Sequence, residues 1–246
     1  MKTRITALLL CLLLAMTFSC AALADYTEGQ VVLVDEEENF SEDSAMFAGS
    51  DEKLVYPAVW TDGYHGKGLD FAGYKTHVRF DASLLGKANA LTLSTWIFNR
   101  GPGLESDGTY RTGNGGTLVF GCSGGNGHFK IVADDGEYGD VVTFAYGLYN
   151  QDVYAVSETM LPVNEWAMVT ATVNDTEMCL YLNGELIASA KPAVTPDALS
   201  IDLFRMGSSF WGPPSLNAIA DDVSLWLRAL SAEEVAALYA ATKVAE

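Results

Sequence analysis

The stretch from Ile219 to Tyr239 reads IADDVSLWLRALSAEEVAALY and divides into two halves with different periods. In the first half, apolar and polar positions alternate. This period of two predicts a β-strand that covers a core with one face. The core face would consist of Val223, Leu225 and Leu227, and the opposite face of Asp222, Ser224, Trp226 and Arg228.

The second half predicts a short helix with a defined start. Ser231 stands three residues before Glu234, which is the spacing of a capping box. In this motif the serine side chain accepts a hydrogen bond from the nitrogen of Glu234, and the Glu234 carboxylate accepts one from the nitrogen of Ser231. Leu230 and Val235 fit a hydrophobic staple around the cap. We therefore expect a strand that runs directly into a capped helix of about two to three turns.

The clearest hairpin signal is Asn183-Gly184, which separates the alternating runs Met178–Leu182 and Glu185–Ala190. Both central residues of a type I′ turn need a positive φ, which Asn and Gly adopt readily. Two longer alternating runs also predict strands: Leu91–Phe98 and Asn164–Val173. Three tryptophans within the predicted strands are expected to be structural: Trp96, Trp166 and Trp226.

The rest of the chain consists of short apolar runs separated by turn signals. Val31–Val34 predicts a short strand, residues 39–60 show no clear period, and residues 99–117 read as a long polar loop. Many short strands with no helical pattern before the end predict an all-β fold. We expect an antiparallel two-sheet sandwich with a short C-terminal helix.

Three blocks of the sequence follow a family pattern. Residues 62–73 read DGYHGKGLDFAG, residues 164–187 contain WAMVTATV and LYLNGELI, and residues 219–239 contain the strand and capped helix described above. These blocks resemble the laminin-G-like domains of the concanavalin A-like jelly rolls, over about residues 56–239. The resemblance implies a jelly-roll domain at residues 56–246, with the N-terminal strand and irregular arm of residues 25–55 belonging to the same fold.

Residues 1–24 have the pattern of a secretory signal peptide. Lys2 and Arg4 precede the apolar run Ile5–Phe18, and small residues place a cleavage point after Ala24. The apolar run is shorter than the roughly 20 residues that a membrane-spanning helix needs. Lipid attachment at Cys20 is an alternative that the preceding residues fit less well. We therefore expect a secreted protein with no membrane insertion after cleavage.

The chain is strongly acidic, with a formal net charge of −18, which becomes −20 when Lys2 and Arg4 leave with the signal peptide. Such a surface repels phosphate backbones and anionic lipids, so nucleic-acid and membrane partners are not expected.

Cys122 and Cys179 remain after cleavage. An oxidising compartment allows a disulfide between them, but buried thiols fit their apolar surroundings equally well.

The sequence shows no catalytic motif. Glycosidases with the jelly-roll fold place carboxylates on one strand face in an E-x-D-x-x-E run, and retaining cleavage needs a separation of about 5 Å. The nearest run is ESDGTY, in which Tyr110 stands where the second Glu should be. The scattered histidines suggest no metal cluster. Enzyme activity is therefore not expected, although carboxylates from separate loops remain an alternative.

The family resemblance implies one candidate metal site. Concanavalin A-like sandwiches often hold calcium where the N-terminal arm meets the last strand. By resemblance, Asp221 would be a carboxylate ligand, and Asp35 or a neighbouring Glu would complete an oxygen cage with the carbonyl of Gly73. The alternative is that Asp221 and Asp222 open the last strand at its solvent edge.

Aromatic side chains in polar loops suit the stacking of sugar rings, because ring faces offer apolar C–H patches. The family resemblance and the absence of an acid pair together suggest a non-catalytic module that binds glycan through loops and a concave sheet face. The alternative is a module that binds proteins at the cell surface. Five side chains are the candidate ligand-binding residues: Trp211, Tyr64, His65, Trp60 and Tyr110.

Overall fold

The computed structural model describes residues 25–34, 45–47, 58–71, 76–85, 88–104, 110–111, 116–123, 127–135, 137–208 and 216–244. These residues form two large antiparallel sheets and one α-helix, so the predicted fold class is confirmed. No helix within these ranges has the length and apolarity needed to cross a membrane. The predicted signal peptide, together with Cys20, lies outside the described residues.

The strands in chain order are β1 (Gln30–Val34), β2 (Ala45–Phe47), β3 (Val59–Asp62), β4 (Lys67–Asp70), β5 (His77–Phe80), β6 (Leu91–Asn99), β7 (Gly103–Leu104), β8 (Tyr110–Arg111), β9 (Thr117–Ser123), β10 (Gly127–Asp135), β11 (Val141–Leu148), β12 (Val153–Val156), β13 (Trp166–Val173), β14 (Met178–Leu182), β15 (Glu185–Ala190), β16 (Leu203–Met206) and β17 (Ala218–Trp226). Two short 3-10 helices span Ala82–Leu85 and Pro196–Leu199, and the α-helix α1 spans Ala232–Thr242.

One sheet has eight strands in the order β15-β14-β13-β6-β17-β4-β3, with β1 also paired to β17. The other has seven strands in the order β12-β11-β10-β9-β16-β5-β2, and β7 pairs with β8 separately. Five of these strands had no counterpart in the sequence prediction. β2 and the start of β3 lie in the region without a clear period, β7 and β8 lie in the region read as a long polar loop, and β12 follows a turn after β11.

The main core fills the space between the two sheets. The residues that the alternation predicted to face the core are the ones buried there. The core face of β6 carries Leu91, Leu93 and Ile97, and that of β13 carries Val169, Ala171 and Val173. The seven-stranded sheet contributes Phe129, Phe144 and Phe204 among others. Each sheet therefore buries every second residue against the other, as an aligned sandwich requires.

β17 is the central organising strand, because it changes partners along its length. Its first half pairs with β4 and its second half with β1, while β6 lies along the other edge. The change coincides with a bulge between Asp221 and Ser224, where Asp222 has a φ of 48°. A bulge of this kind re-aims the side chains beside it. The predicted strand continues to Arg228, but the observed strand ends at Trp226, and Leu227 is exposed.

The helix α1 packs on the outer face of the eight-stranded sheet and creates a second core there. The predicted capping box is present: the Ser231 side chain accepts from the nitrogen of Glu234, and the nitrogen of Ser231 donates to the Glu234 carboxylate. The Arg228 guanidinium also binds this carboxylate. The second core consists of Trp96, Met168, Cys179, Tyr181, Trp226, Leu230, Val235 and Leu238, with Tyr64, Trp166 and Tyr239 packed against it.

The structure also tests the predictions for the Asn183-Gly184 turn and for the two cysteines. In the hairpin between β14 and β15, Asn183 and Gly184 have φ values of 52° and 81°, as a type I′ turn requires. Cys122 and Cys179 are both buried, and no disulfide joins them. They lie on different sheets, Cys122 on β9 and Cys179 on β14, so the buried-thiol alternative is the correct one.

Candidate functional site

Asp221 is fully buried in the bulge of β17, although the sequence suggested either a metal ligand or a solvent edge. One carboxylate oxygen accepts a hydrogen bond of 2.8 Å from the backbone nitrogen of His65, and the other accepts one of 2.8 Å from that of Asp222. The hydroxyl of Thr95 donates to the Asp221 carbonyl. The side chain of Asp221 therefore fastens the turn between β3 and β4 to the last strand.

The environment of Asp221 changes its acidity. Burial raises the pKa of Asp221 to about 6, opposed by the hydrogen bond from the His65 nitrogen, and the nearby Asp222 carboxylate raises it further. Gly63 makes this arrangement possible, because a Cβ on Gly63 would lie only 2.3 Å from a carboxylate oxygen of Asp221. The glycine of the DG motif is thus explained by a close approach to Asp221.

Tyr64 and His65, two of the predicted ligand-binding residues, lie together in this turn. The Nδ1 atom of His65 is 2.6 Å from an Asp222 carboxylate oxygen. The ring of Tyr64 stacks on Trp96 with centroids 3.9 Å apart, and the Tyr64 hydroxyl accepts from the nitrogen of Val244. One face of the tyrosine ring is therefore occupied by the protein, and sugar contact at this turn stays a prediction.

Of the other predicted ligand-binding residues, Trp60 alone has a described side chain. Trp60 is half-buried on β3 and packs against the main core. The backbone of Tyr110 forms part of β8, but its side chain lies outside the described residues. Trp211 also lies outside them, and its proposed stacking role stays a prediction.

The predicted calcium cage is only partly described. Asp35 and Gly73 lie outside the described residues, so Asp221 is the single predicted ligand whose contacts are known. Within the described ranges, no group of three or more His, Cys, Asp or Glu side chains is arranged to hold a metal. The donors around Asp221 are backbone N–H groups, which satisfy its carboxylate without an ion. The calcium site therefore remains a prediction.

A cavity of about 240 Å³ lies between α1 and the outer face of the eight-stranded sheet. The residues that line it include Trp96, Trp226, Asp222, Ser94 and Ser224. The two serine hydroxyls already have partners: Ser94 bonds to Thr170 and Ser224 accepts from Gln30. This cavity is a gap in the second core whose polar groups are largely satisfied by the protein.

The outer face of the seven-stranded sheet carries charged and aromatic side chains beside buried apolar ones such as Val132 and Ala145. Since Phe129, Ile131 and Phe204 point into the core, the alternate residues on these strands point outward. Arg79 is exposed, and Lys130 and Arg205 are half-buried. The helix α1 packs on the opposite sheet, so among the described residues no α-helix covers this face.

Two side-chain pairs mark one half of this outer face. Tyr138 and Tyr154 are half-buried neighbours with ring centroids 5.3 Å apart. Nε2 of His128 is 3.5 Å from a carboxylate oxygen of Asp152. Burial lowers the pKa of His128, the Asp152 carboxylate opposes this shift, and Lys130 reinforces it. Neither pair was identified from the sequence, because each depends on which strands and turns become neighbours.

These features define an antiparallel jelly-roll sandwich with one outer face sealed by a helix and the other carrying polar and aromatic side chains. A family model for the concanavalin A-like lectin/glucanases superfamily matches residues 72–236. The chain belongs to this superfamily, which confirms the resemblance seen in the sequence. No curated protein sequence matches the chain.

Solved structures with the same fold include several binding domains. Domain 4 of AbnA, an extracellular arabinanase from Geobacillus stearothermophilus in complex with arabinotriose, has a TM-score of 0.62 at 18% identity, covering 88% of this chain and 96% of that one. A botulinum neurotoxin type C structure, whose description states that cell entry depends on two ganglioside molecules, has a TM-score of 0.56 at 12% identity, covering 91% and 54%. The binding domain of Paraclostridial Mosquitocidal Protein 1 has a TM-score of 0.59 at 16% identity, covering 87% and 52%. The chain thus spans about half the length of the two toxin chains.

Proposed function

We propose that this protein is a secreted, non-catalytic module that binds glycan on the outer face of its seven-stranded sheet, together with the neighbouring loops. The observation that carries the proposal is the pair of half-buried tyrosines Tyr138 and Tyr154, whose rings lie 5.3 Å apart at the edge strand β12 and the turn before β11. Tyrosine rings offer apolar surface to the C–H faces of sugars, and their hydroxyl groups can hydrogen-bond to sugar hydroxyls.

The similar structures support a carbohydrate ligand without identifying it. The arabinanase domain is in complex with arabinotriose, and the botulinum neurotoxin type C structure is described with ganglioside. One fold hosts many activities, so the likeness alone supports the class and not the sugar. Secretion is proposed from the leader pattern of residues 1–24, with cleavage after Ala24.

The proposal is tested by titrating the purified protein with a panel of plant and microbial polysaccharides in affinity electrophoresis and calorimetry. We expect saturable binding to at least one glycan. Tyr154→Ala should weaken this binding about fivefold, because an aromatic contact of this kind is worth about 1 kcal/mol. Tyr149→Ala is the matched control, since Tyr149 is an exposed tyrosine in the adjoining turn.

The same panel separates the rival functions. Loss of binding in Trp211→Ala with Tyr154→Ala unaffected would place the glycan in the loops and not on the sheet. Release of reducing ends from any polysaccharide would contradict the non-catalytic role. Absence of all glycan binding, together with capture of a purified extracellular protein, would favour the adhesion alternative.

We also propose a structural calcium ion near Asp221, from the family resemblance. An ion that binds the folded state alone raises the melting temperature, since its free energy of binding adds to the free energy of unfolding. Melting curves in millimolar calcium and in chelator should therefore differ, and Asp221→Asn should remove the difference. Coincident curves for the unmodified protein would refute the site.

A further inference from the structure

The helix α1 seals the middle of the outer face of the eight-stranded sheet, and one cross-strand row of outward residues lies beyond it. The register pairs Trp166 with Phe98, Phe98 with Ile219, Ile219 with Asp70, and Asp70 with Val59. The apolar residues that alternate with them on these strands belong to the main core, so the row faces outward. These five residues, called the outer row below, span four interstrand spacings, or about 19 Å at about 4.8 Å each.

Every member of the outer row is accessible to solvent. Trp166, Phe98 and Ile219 are half-buried. The Asp70 side chain is 19% exposed, and Val59 is 52% exposed. By contrast, the other two strand tryptophans on this face are buried in the second core under α1. A continuous row of aromatic and apolar side chains that stays open to solvent is typical of a binding surface.

Trp166 lies in an aromatic cluster at one end of the outer row. Its ring centroid is 5.6 Å from that of Phe98 and 5.4 Å from that of Tyr64. Tyr64 in turn stacks on the buried Trp96 with centroids 3.9 Å apart. These contacts hold the half-exposed indole in place before a ligand arrives, so little side-chain entropy is lost on binding. A fixed aromatic surface of this kind suits the apolar C–H face of a sugar ring.

The polar group beside the outer row is a closed ion pair. Arg100 donates from Nη1 and Nη2 to the two carboxylate oxygens of Asp70, at 2.8 Å and 2.6 Å. The pair presents donors and acceptors side by side and is neutral as a unit. Hydroxyl groups match such a pair, because a hydroxyl both donates and accepts hydrogen bonds. An anionic group would instead meet a guanidinium that already binds a carboxylate.

We infer that the outer row is a second glycan site, which binds a neutral linear oligosaccharide with one sugar ring against Trp166 and the following rings over Phe98 and Ile219. The inference rests on the proposed glycan function and adds a ligand class and a second site. The first site involves Tyr154 on β12, at the edge of the other sheet. One protein molecule would therefore hold two glycan chains at once.

The dimensions of the outer row favour a saccharide chain over a protein partner. Specific protein–protein interfaces bury about 800 Å² on each partner and involve about 20 to 30 residues a side. The outer row is one residue wide. The second core under α1 lies on one side of it, and the polar residues Arg100 and Asn217 lie on the other. A long, narrow apolar strip with polar borders fits an extended oligosaccharide, and its length exceeds a single sugar ring.

The test is a calorimetric titration with three neutral hexasaccharides, cellohexaose, xylohexaose and arabinohexaose, and with oligogalacturonate as the anionic comparison. We expect at least one neutral hexasaccharide to bind at two sites per protein molecule, a number that needs no variant. Oligogalacturonate should bind at least tenfold more weakly at low salt, because the chain carries a net charge of −18 and repels anions.

Variants locate the second site. Trp166→Ala should weaken binding there about fivefold and leave the site at Tyr154 unchanged. Val59→Glu should weaken it at least threefold, and Val59 is exposed, so its replacement leaves the fold intact. Leu186→Glu is the matched control, because Leu186 is 54% exposed on β15 at the opposite edge of the same sheet. This control should leave both affinities unchanged, and circular dichroism of each variant checks folding.

The outcomes separate this inference from the proposed function. A single site that is lost in Tyr154→Ala and unaffected by Trp166→Ala and Val59→Glu would overturn the inference and leave glycan binding standing. Binding that is lost in Trp166→Ala and kept in Tyr154→Ala would support the outer row and overturn the site on β12. Equal affinity for oligogalacturonate would overturn the neutral ligand class. Absence of binding to every glycan would overturn both proposals.

Discussion

Replacing Trp226 with alanine should destabilise the protein by about 3–5 kcal/mol, the range for removing a buried tryptophan. Trp226 is fully buried in the second core, between the outer face of β17 and α1. Its indole nitrogen also donates a hydrogen bond of 2.6 Å to the carbonyl of Tyr26, which fixes the N-terminal segment to the last strand. The variant therefore loses packing under the helix and one of the hydrogen bonds that hold the segment before β1.

The measurement is urea unfolding followed by circular dichroism, which does not depend on the removed indole. Leu227→Ala is the matched control, because Leu227 is the next residue and is 47% exposed. It should change the free energy of unfolding by less than about 0.5 kcal/mol. Equal effects of the two variants would mean that α1 contributes little to stability, and the account of the second core would be wrong.

The alternation in the sequence predicts the two faces of β17 correctly up to Trp226, where the strand ends. Alternation correctly placed Val223 and Leu225 in the main core and Trp226 on the opposite face. It placed Leu227 in the core as well, which is wrong, because the strand ends at Trp226. Periodicity reports which face a residue would share if the strand continued. It does not report where the pairing partners stop.

The capped helix and the hairpin were predictable for a different reason. Their signals are local: the hydrogen bonds of Ser231 and Glu234 and the positive φ of Asn183 and Gly184 involve residues within a few positions of one another. The bulge at Asp222 depends instead on the change from β4 to β1 along one edge of β17. That change is decided by the whole sheet, and the sequence carried no signal for it.

The candidate site was the least predictable part. The sequence directed attention to aromatic residues in loops, such as Tyr64, whose ring turns out to stack on Trp96. The cross-strand alignment of Arg79, Lys130 and Arg205 was missed because these residues are distant in sequence. They become neighbours only through the strand order β10-β9-β16-β5, which joins strands that do not follow one another along the chain. Charge composition alone indicated an acidic surface everywhere.

The second large effect is expected at Asp221. Asp221→Asn keeps the shape of the side chain, but its amide group would face one of the two backbone N–H donors that the carboxylate now accepts. A buried donor without an acceptor costs about 1–3 kcal/mol. Asp62→Asn is the matched control, because Asp62 lies in the same β3–β4 hairpin with its side chain 95% exposed. The control should be nearly neutral in urea unfolding at neutral pH with chelator present.

The cost of Asp221→Asn should also depend on pH, and the raised pKa sets the direction. The pKa of Asp221 is about 6 in the folded protein against an ordinary value of 3.8. Between these values the folded state binds more protons than the unfolded state, so the stability contributed by Asp221 is lost as the pH rises through this window. The asparagine variant lacks this titration. The difference in unfolding free energy between the two proteins should therefore grow from pH 7 to pH 4, by up to about 3 kcal/mol, since one pKa unit corresponds to about 1.4 kcal/mol.

A constant difference across this pH range would show that Asp221 titrates at its ordinary pKa in the folded protein, and hence that its carboxylate is hydrated and not buried. A difference that shrinks toward pH 4 would mean that the carboxylate is stabilised in its charged form, as a bound cation would do. Because chelator removes any such ion, repeating the series in calcium separates the two causes. Calcium should then reverse the slope at Asp221 and leave the Asp62→Asn control unchanged, which links the acidity of this buried carboxylate directly to the proposed metal site.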